Sequence, residues 1–192
     1  ECIRRMLYHD IVDTSAWAKL YSTKLFRTVK FPKGKIYEDI ATTYRLFQKC
    51  DYVACGFESK YNYMVRNDSL TRVHFSENKF QLLEMTDKMG LDVIKFYPDL
   101  ADAVLRRRVY ARFALLNNML DIDESFIPAR AKIVKFILDN KKVMLTSNCV
   151  PCRDKFGIIA LMCGFCFYHF MWNVYTYCLL YTSDAADDTP CV

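Results

Sequence analysis

The sequence predicts an α/β piece on the N-terminal side followed by a mainly α-helical C-terminal region. Three observations carry this expectation. The chain has 192 residues, 53% of them hydrophobic and 26% charged, with only 5 Gly and 5 Pro; such a composition folds compactly, and so few glycines argue against an all-β architecture. Two short runs rich in β-branched and aromatic residues, 52–57 and 61–65, read as strands. From Ser76 onward the apolar spacing is helical, broken at Gly90, Pro98, Pro128 and Pro151.

Taken in order, Glu1 to Leu7 reads as helix from its first residue, which is the pattern of a chain that starts inside a longer reading frame. Residues 15–26 put Trp17, Leu20 and Tyr21 on one helical face, with Ser15 as the cap. Phe31-Pro32-Lys33-Gly34-Lys35 breaks that helix. Ile36, Ile40, Thr43, Tyr44 and Phe47 then recur at helical spacing, which places Glu38 and Asp39 in a first turn. After the two strand candidates, 66–71 is a polar loop, and helices are expected near 76–96, 99–120 and 127–140.

Residues 156–177 carry no charged side chain other than a protonated His169 and are long enough to cross a bilayer, which takes about 20 apolar residues. Gly157, Gly164, His169 and Asn173 dilute the run, and Arg153 and Lys155 flank it, so a docked or interfacial helix is an equal reading. Residues 178–192, with Thr182-Ser183-Asp184-Ala185-Ala186-Asp187-Asp188, resemble a translated sequencing adapter and are set apart as a non-native tail. Leaving out Asp184, Asp187 and Asp188 takes the formal charge from +5 to +8. The expected organisation is therefore 1–72, 73–150, 151–177 and 178–192.

The charge is modest and spread along the chain except at Arg106, Arg107 and Arg108, which is too thin a footprint for nucleic-acid binding. Nine cysteines, an odd number, favour a reducing compartment over a disulfide scaffold. Cys149 with Cys152 and Cys163 with Cys166 form two CxxC pairs. A four-thiolate zinc site is one reading of them and small hydrophobes in an apolar run the other. Asp121 and Asp123 match D-x-D but sit at a helix end, where capping is the ordinary role.

Trp17-Ala18-Lys19-Leu20-Tyr21, then Phe31-Pro32-Lys33-Gly34-Lys35-Ile36-Tyr37-Glu38-Asp39, then the Tyr-rich run from Tyr61 leading into Arg66-Asn67-Asp68-Ser69, form three spaced motifs in one order. Together with Tyr97-Pro98-Asp99-Leu100 they resemble the C-terminal part of bacterial family 2 glycosyltransferases over roughly residues 1–175. The resemblance implies a partial catalytic domain of the GT-A type in residues 1–72. It also implies an inverting enzyme that moves a sugar from a nucleotide-sugar donor to a cell-surface polysaccharide or glycolipid acceptor.

By that resemblance Asp39 is the base and Glu38 its support, Trp17 and Lys19 line the sugar side, and Arg66 and Ser69 approach the diphosphate. Where some members carry His, Tyr63 stands here. A divalent cation, Mn or Mg, would be held by an acidic motif in a nucleotide-binding half that this sequence lacks, so the fragment is expected to be inactive alone. The implied location is cytoplasmic, at the inner face of the cell membrane, with peripheral membrane contact. The rival reading is a non-enzymatic, membrane-associated helical interaction module in which the Glu38-Asp39 pair only caps a helix.

Overall fold

The computed structural model describes residues 1–58, 60–62, 64, 75–120 and 122–187, with 179–187 as backbone only. It divides into two compact units, Glu1–Met119 and Leu120–Val192.

The first unit is built on two long helices. α1 spans Cys2–Tyr8, α2 Thr43–Phe47, α3 Gln81–Phe96 and α4 Ala101–Asn117. In α3, Met85, Met89 and Val93 recur every fourth residue and are all buried. Tyr97 leaves the helix at φ −135°, ψ 75° because Pro98 follows, and a short 3-10 turn Pro98–Leu100 starts α4 running back along α3. Arg4 of α1 reaches that corner, its Nη2 donating to Asp99 Oδ2 at 2.9 Å. Between the helices Gly90 lets α4 approach closely: a Cβ there would lie 2.7 Å from Val104 Cγ1. One turn away, Asp87 accepts from Arg108 Nε at 2.8 Å and from Arg112 Nη2 at 2.9 Å. One apolar cluster joins Met6 and Leu7 of α1, Ile40 and Tyr44 around α2, and the inner faces of α3 and α4.

The second unit holds α5 (Ile127–Asp139), α6 (Lys141–Thr146), α7 (Cys152–Met162) and α8 (Phe165–Asp187). α7 packs against α5, α6 and α8. Ile133, Ile137, Met144, Ile158, Leu161 and Tyr168 are buried. Asp123 Oδ1 accepts from the Ser125 backbone N–H at 3.0 Å, a cap on the 3-10 turn before α5, while Asp121 lies outside the described residues.

The expected α/β character is not found: among the described residues there is no strand, and the fold is helical. Residues 52–57 are irregular and exposed, Tyr52 and Phe57 standing 94% and 85% exposed. β-branched and aromatic content favours a strand only where a neighbour strand and a packed face exist, and among the described residues this run is exposed and pairs with no strand. The partner run 61–65 falls partly outside the described residues; the α/β character of the GT-A type expected for 1–72 is overturned by the helical fold, with no strand among the described residues.

Three other expectations shift. Residues 15–26 form bends and a 3-10 turn, Thr23–Arg27, because Ala18 takes φ 54° and the Ser15 hydroxyl donates to the Asp13 carboxylate instead of capping a helix. The helix expected from Ile36 begins only at Thr43, after Tyr37 at φ 58°. The apolar run 156–177 is divided between α7 and α8 at Gly164, φ 120°, a conformation glycine adopts without steric cost. Among the described residues no helix is long and apolar enough to cross a membrane. α8 continues past Cys178 to Asp187, so the helix does not end where the tail was set apart.

Candidate active site

Glu38 and Asp39 sit half-buried in a turn that leads into α2, not in the helix itself. The turn is closed by backbone bonds from Thr42 N and Thr43 N to Asp39 O, at 3.0 and 2.9 Å, and by the Thr42 hydroxyl donating to Glu38 O at 2.7 Å. Tyr37, just before the pair, holds a left-handed φ of 58°, which for a bulky residue costs about 1–2 kcal/mol. The segment before it is anchored to α3, with Ile36 N donating to Gln81 Oε1 at 3.1 Å and Lys35 Nζ 3.5 Å from Glu84.

Asp39 Oδ1 accepts from the Ile40 N–H at 2.8 Å. Burial raises the Asp39 carboxyl above its ordinary value, the Ile40 N–H opposes that, the Glu38 charge adds to it, and Arg107 pulls it down. The balance is an acid with enhanced proton affinity, the direction a general base needs.

Arg107, on α4, is buried on the helix stripe that also carries Ala103 and Ala111. Its Nη2 donates to Thr14 Oγ1 at 3.2 Å, and its guanidinium lies over the Tyr110 ring at 5.3 Å. Burial brings its pKa down to about 10, with the Tyr110, Asp39 and Asp13 charges working against that and Arg106 with it. The same Thr14 presents its carbonyl to the Thr43 hydroxyl at 2.7 Å. The loop 13–15 is thereby tied both to α2 and to α4, and Arg107 acts electrostatically on Asp13 and Asp39 alike.

Lys19 does not stand free. Its Nζ reaches Asp13 Oδ1 at 2.5 Å and Ser15 Oγ at 3.1 Å. Burial alone would raise Asp13, but the hydrogen bonds from Lys19 and Ser15 outweigh it and hold that carboxyl below its usual range. Trp17 is 44% exposed and stacks on Tyr61 with ring centroids 5.2 Å apart, an aromatic face open to solvent. Tyr21 lies in the same region: burial raises its phenol, Thr43 opposes, and Asp13 and Asp39 add to the rise. The structure thus gathers Glu38, Asp39, Asp13 and Arg107, places Lys19 on Asp13, and sets Trp17 on the adjoining loop. Arg66, Ser69 and Tyr63 lie outside the described residues.

Sequence reasoning missed Asp13, Thr14, Tyr37 and Arg107. Arg107 had a usable signal, because its four-residue spacing from Ala103 and Ala111 puts it on an apolar face where an arginine must serve something. Two concavities occur elsewhere. One of about 490 Å3 in the first unit is lined by Arg45, Lys49, Asp92 and Lys95, the other, of the same volume, by Ile127, Arg130, Val134, Lys135 and Phe165 in the second. Neither includes Asp39. Among the described residues no group of three or more His, Cys, Asp or Glu side chains is placed to hold a metal ion. Cys149, Cys152, Cys163 and Cys166 are exposed free thiols. Among the described residues these four thiols form no group placed to hold zinc, and no acidic group is placed to hold a divalent cation.

No family model, curated protein or solved structure matches this chain.

Proposed function

We propose that this chain is the C-terminal, acceptor-side part of an inverting glycosyltransferase, with Asp39 as its base. One observation carries the reading: Asp39 is a half-buried carboxylate whose proton affinity is raised by burial, on a turn fixed by Tyr37, Thr42 and Thr43. In the reaction an acceptor hydroxyl oxygen bonds to the anomeric carbon as the bond from that carbon to the nucleotide diphosphate breaks. The leaving group departs with the electron pair, and the hydroxyl proton passes to Asp39. A base aimed from a rigid turn suits that transfer. Burial and then the Glu38 charge keep the proton affinity of Asp39 high, and the charge of Arg107 on α4 limits the rise.

Trp17 offers an exposed aromatic surface of the kind that packs on the C–H face of a hexose. Lys19, held by Asp13, positions the loop carrying Trp17; the donor contacts proposed for Arg66 and Ser69 come from the motif alone. The nucleotide-sugar donor and its divalent cation would belong to the part of the enzyme encoded ahead of Glu1.

The test is an Asp39→Asn substitution in the chain expressed together with that preceding coding sequence. Transfer to a glycan or glycolipid acceptor should fall by roughly 10²–10⁴-fold while nucleotide-sugar affinity stays within about twofold. Turnover retained at the wild-type level refutes the assignment of the base.

A further inference from the structure

We propose that the basic cavity of about 490 Å3 in the first unit binds a small soluble phosphate monoester whose phosphate is carried on a ring. The inference is independent of the transferase reading, since Asp39 does not line this cavity. Two segments build it with matching spacing. Arg45, Gln48 and Lys49 step by three and four residues along α2 and the turn that continues it, where Gln48 N donates to Tyr44 O at 2.9 Å and Lys49 N to Leu46 O at 3.0 Å. Asp92, Lys95 and Phe96 step in the same way along the last turns of α3. The Tyr44 hydroxyl, donating to Asp92 Oδ2 at 2.5 Å, ties one segment to the other. Small-molecule sites commonly enclose about 300–1,000 Å3, so the space suffices for a phosphate and one ring.

The charge balance favours a dianion. The lining carries three cations, Arg45, Lys49 and Lys95, against one acid, Asp92. All three cations are exposed, and none forms an ion pair among the described residues. Of the other acids on 43–51 and 88–99, Asp99 is held by Arg4 at 2.9 Å and Asp51 lies outside the lining. The C-terminal end of α3 adds about half a negative charge, which leaves a surplus of about one and a half positive charges. A phosphate monoester carries about −1.5 to −2 near pH 7 and matches that surplus, whereas a carboxylate or a sulfate ester carries one charge. Arg45 offers a planar fork and the two lysines point charges, a donor set that phosphate oxygens accept together. Gln48 Nε2 is buried with no hydrogen-bond partner among the described residues. The last torsion of a glutamine is broad, so a small turn of the amide offers this donor to an oxygen in the cavity. Phe96, 63% exposed with Lys95 Nζ 5.8 Å from its ring centroid, is the apolar wall for the ligand's ring.

The experiment is calorimetric titration of the whole chain with phenyl phosphate, inorganic phosphate and phenyl sulfate, in phosphate-free buffer at about pH 7.5 and about 0.05 M salt. Phenyl phosphate should bind one to one, several-fold more tightly than inorganic phosphate and about tenfold more tightly than phenyl sulfate. Arg45→Gln and Lys95→Gln, both at exposed positions, should each weaken it by about tenfold or more at unchanged helical circular dichroism. Phe96→Leu should erase the advantage over inorganic phosphate. Lys88→Gln, exposed on α3 but outside the lining, should stay within about twofold of wild type. No saturable binding, equal affinity for phenyl sulfate, or a loss in Lys88→Gln equal to that in Lys95→Gln overturns the inference. So does binding confined to vesicles containing phosphatidic acid, since the phosphate would then belong to a lipid surface and not to a soluble monoester.

Discussion

Replacing Gly90 with alanine tests the close approach that sets α4, and with it Arg107, against the rest of the first unit. In an open helix this change stabilises by about 1 kcal/mol, since glycine is the costlier residue to order. Here the added Cβ would lie 2.7 Å from Val104 Cγ1 and 3.5 Å from Arg108 Cδ. Carbon pairs rest at about 3.5–4.0 Å, so the first contact must open by about 1 Å. Arg108 is flexible and gives way, but Val104 is buried and β-branched, with one preferred rotamer in a helix. The helices must therefore part. Overpacking of this size costs about 1–3 kcal/mol, which against the helical gain leaves a net loss of about 1 kcal/mol. For a unit of this length that is a fall of about 4 °C in Tm, read by thermal and urea unfolding. Val104→Ala alone also destabilises, but in the Gly90→Ala background it should cost less, because the new methyl fills the space it vacates. A Tm raised by Gly90→Ala, or additive behaviour of the pair, refutes the argument.

Asp87 gives a pH dependence. Burial would raise its carboxyl, but Arg112 and Arg108 outweigh that and lower it. Its contribution is therefore present above the unfolded value near pH 4 and is lost as pH falls through the lower folded value. Urea midpoints measured from about pH 6 to pH 2 should fall, and Asp87→Asn should flatten that fall. Tyr44, buried in the core with its hydroxyl on Asp92 Oδ2 at 2.5 Å, should lose about 1–2 kcal/mol as phenylalanine, measured by urea unfolding; no loss would mean that the bond is worth no more than water. Arg107→Gln removes a charge that lowers the Asp39 pKa, so the acid limb of the kcat/KM profile for transfer should move to higher pH; an unmoved limb separates Arg107 from the base.

α3 was legible because its apolar spacing is strong, and α4 and α5 because Pro98 and Pro128 mark their starts; all three fall close to the expected positions. What sequence could not reveal is tertiary. The run 52–57 has the side chains of a strand but stands exposed and pairs with no strand among the described residues, and a strand is a property of a pair. Residues 15–26 have a helical apolar pattern, yet Asp13 competes for the Ser15 hydroxyl and Ala18 takes a positive φ, so the chain turns instead. Within the candidate site, Glu38 and Asp39 were visible through their flanking motif, whereas Asp13, Thr14 and Arg107 come together only when loop 13–15 is bonded to both α2 and α4. The α7–α8 break at Gly164 was marked by a glycine in an apolar run, a signal that reads equally as dilution of one longer helix.

Tyr37 ties the backbone to the base proposed at Asp39. A tyrosine at φ 58° is held there by its ring packing on the core cluster and by the Ile36 and Lys35 anchors on α3. Glycine at this position relieves about 1–2 kcal/mol of left-handed cost. It gives up a similar 1–2 kcal/mol from a half-buried ring, and about 0.5–1 kcal/mol more in chain entropy. Tyr37→Gly should therefore leave stability within about 1 kcal/mol of wild type, read by urea unfolding. Transfer should respond differently, because the turn that aims Asp39 loses its fixed entry: kcat should drop by about tenfold or more with donor affinity unchanged. A stability loss above about 3 kcal/mol would show that the ring is an ordinary core residue and the backbone cost negligible. Unchanged kcat at unchanged stability would show that the turn does not aim the carboxylate, and the reading of Asp39 as a positioned base would lose its structural support.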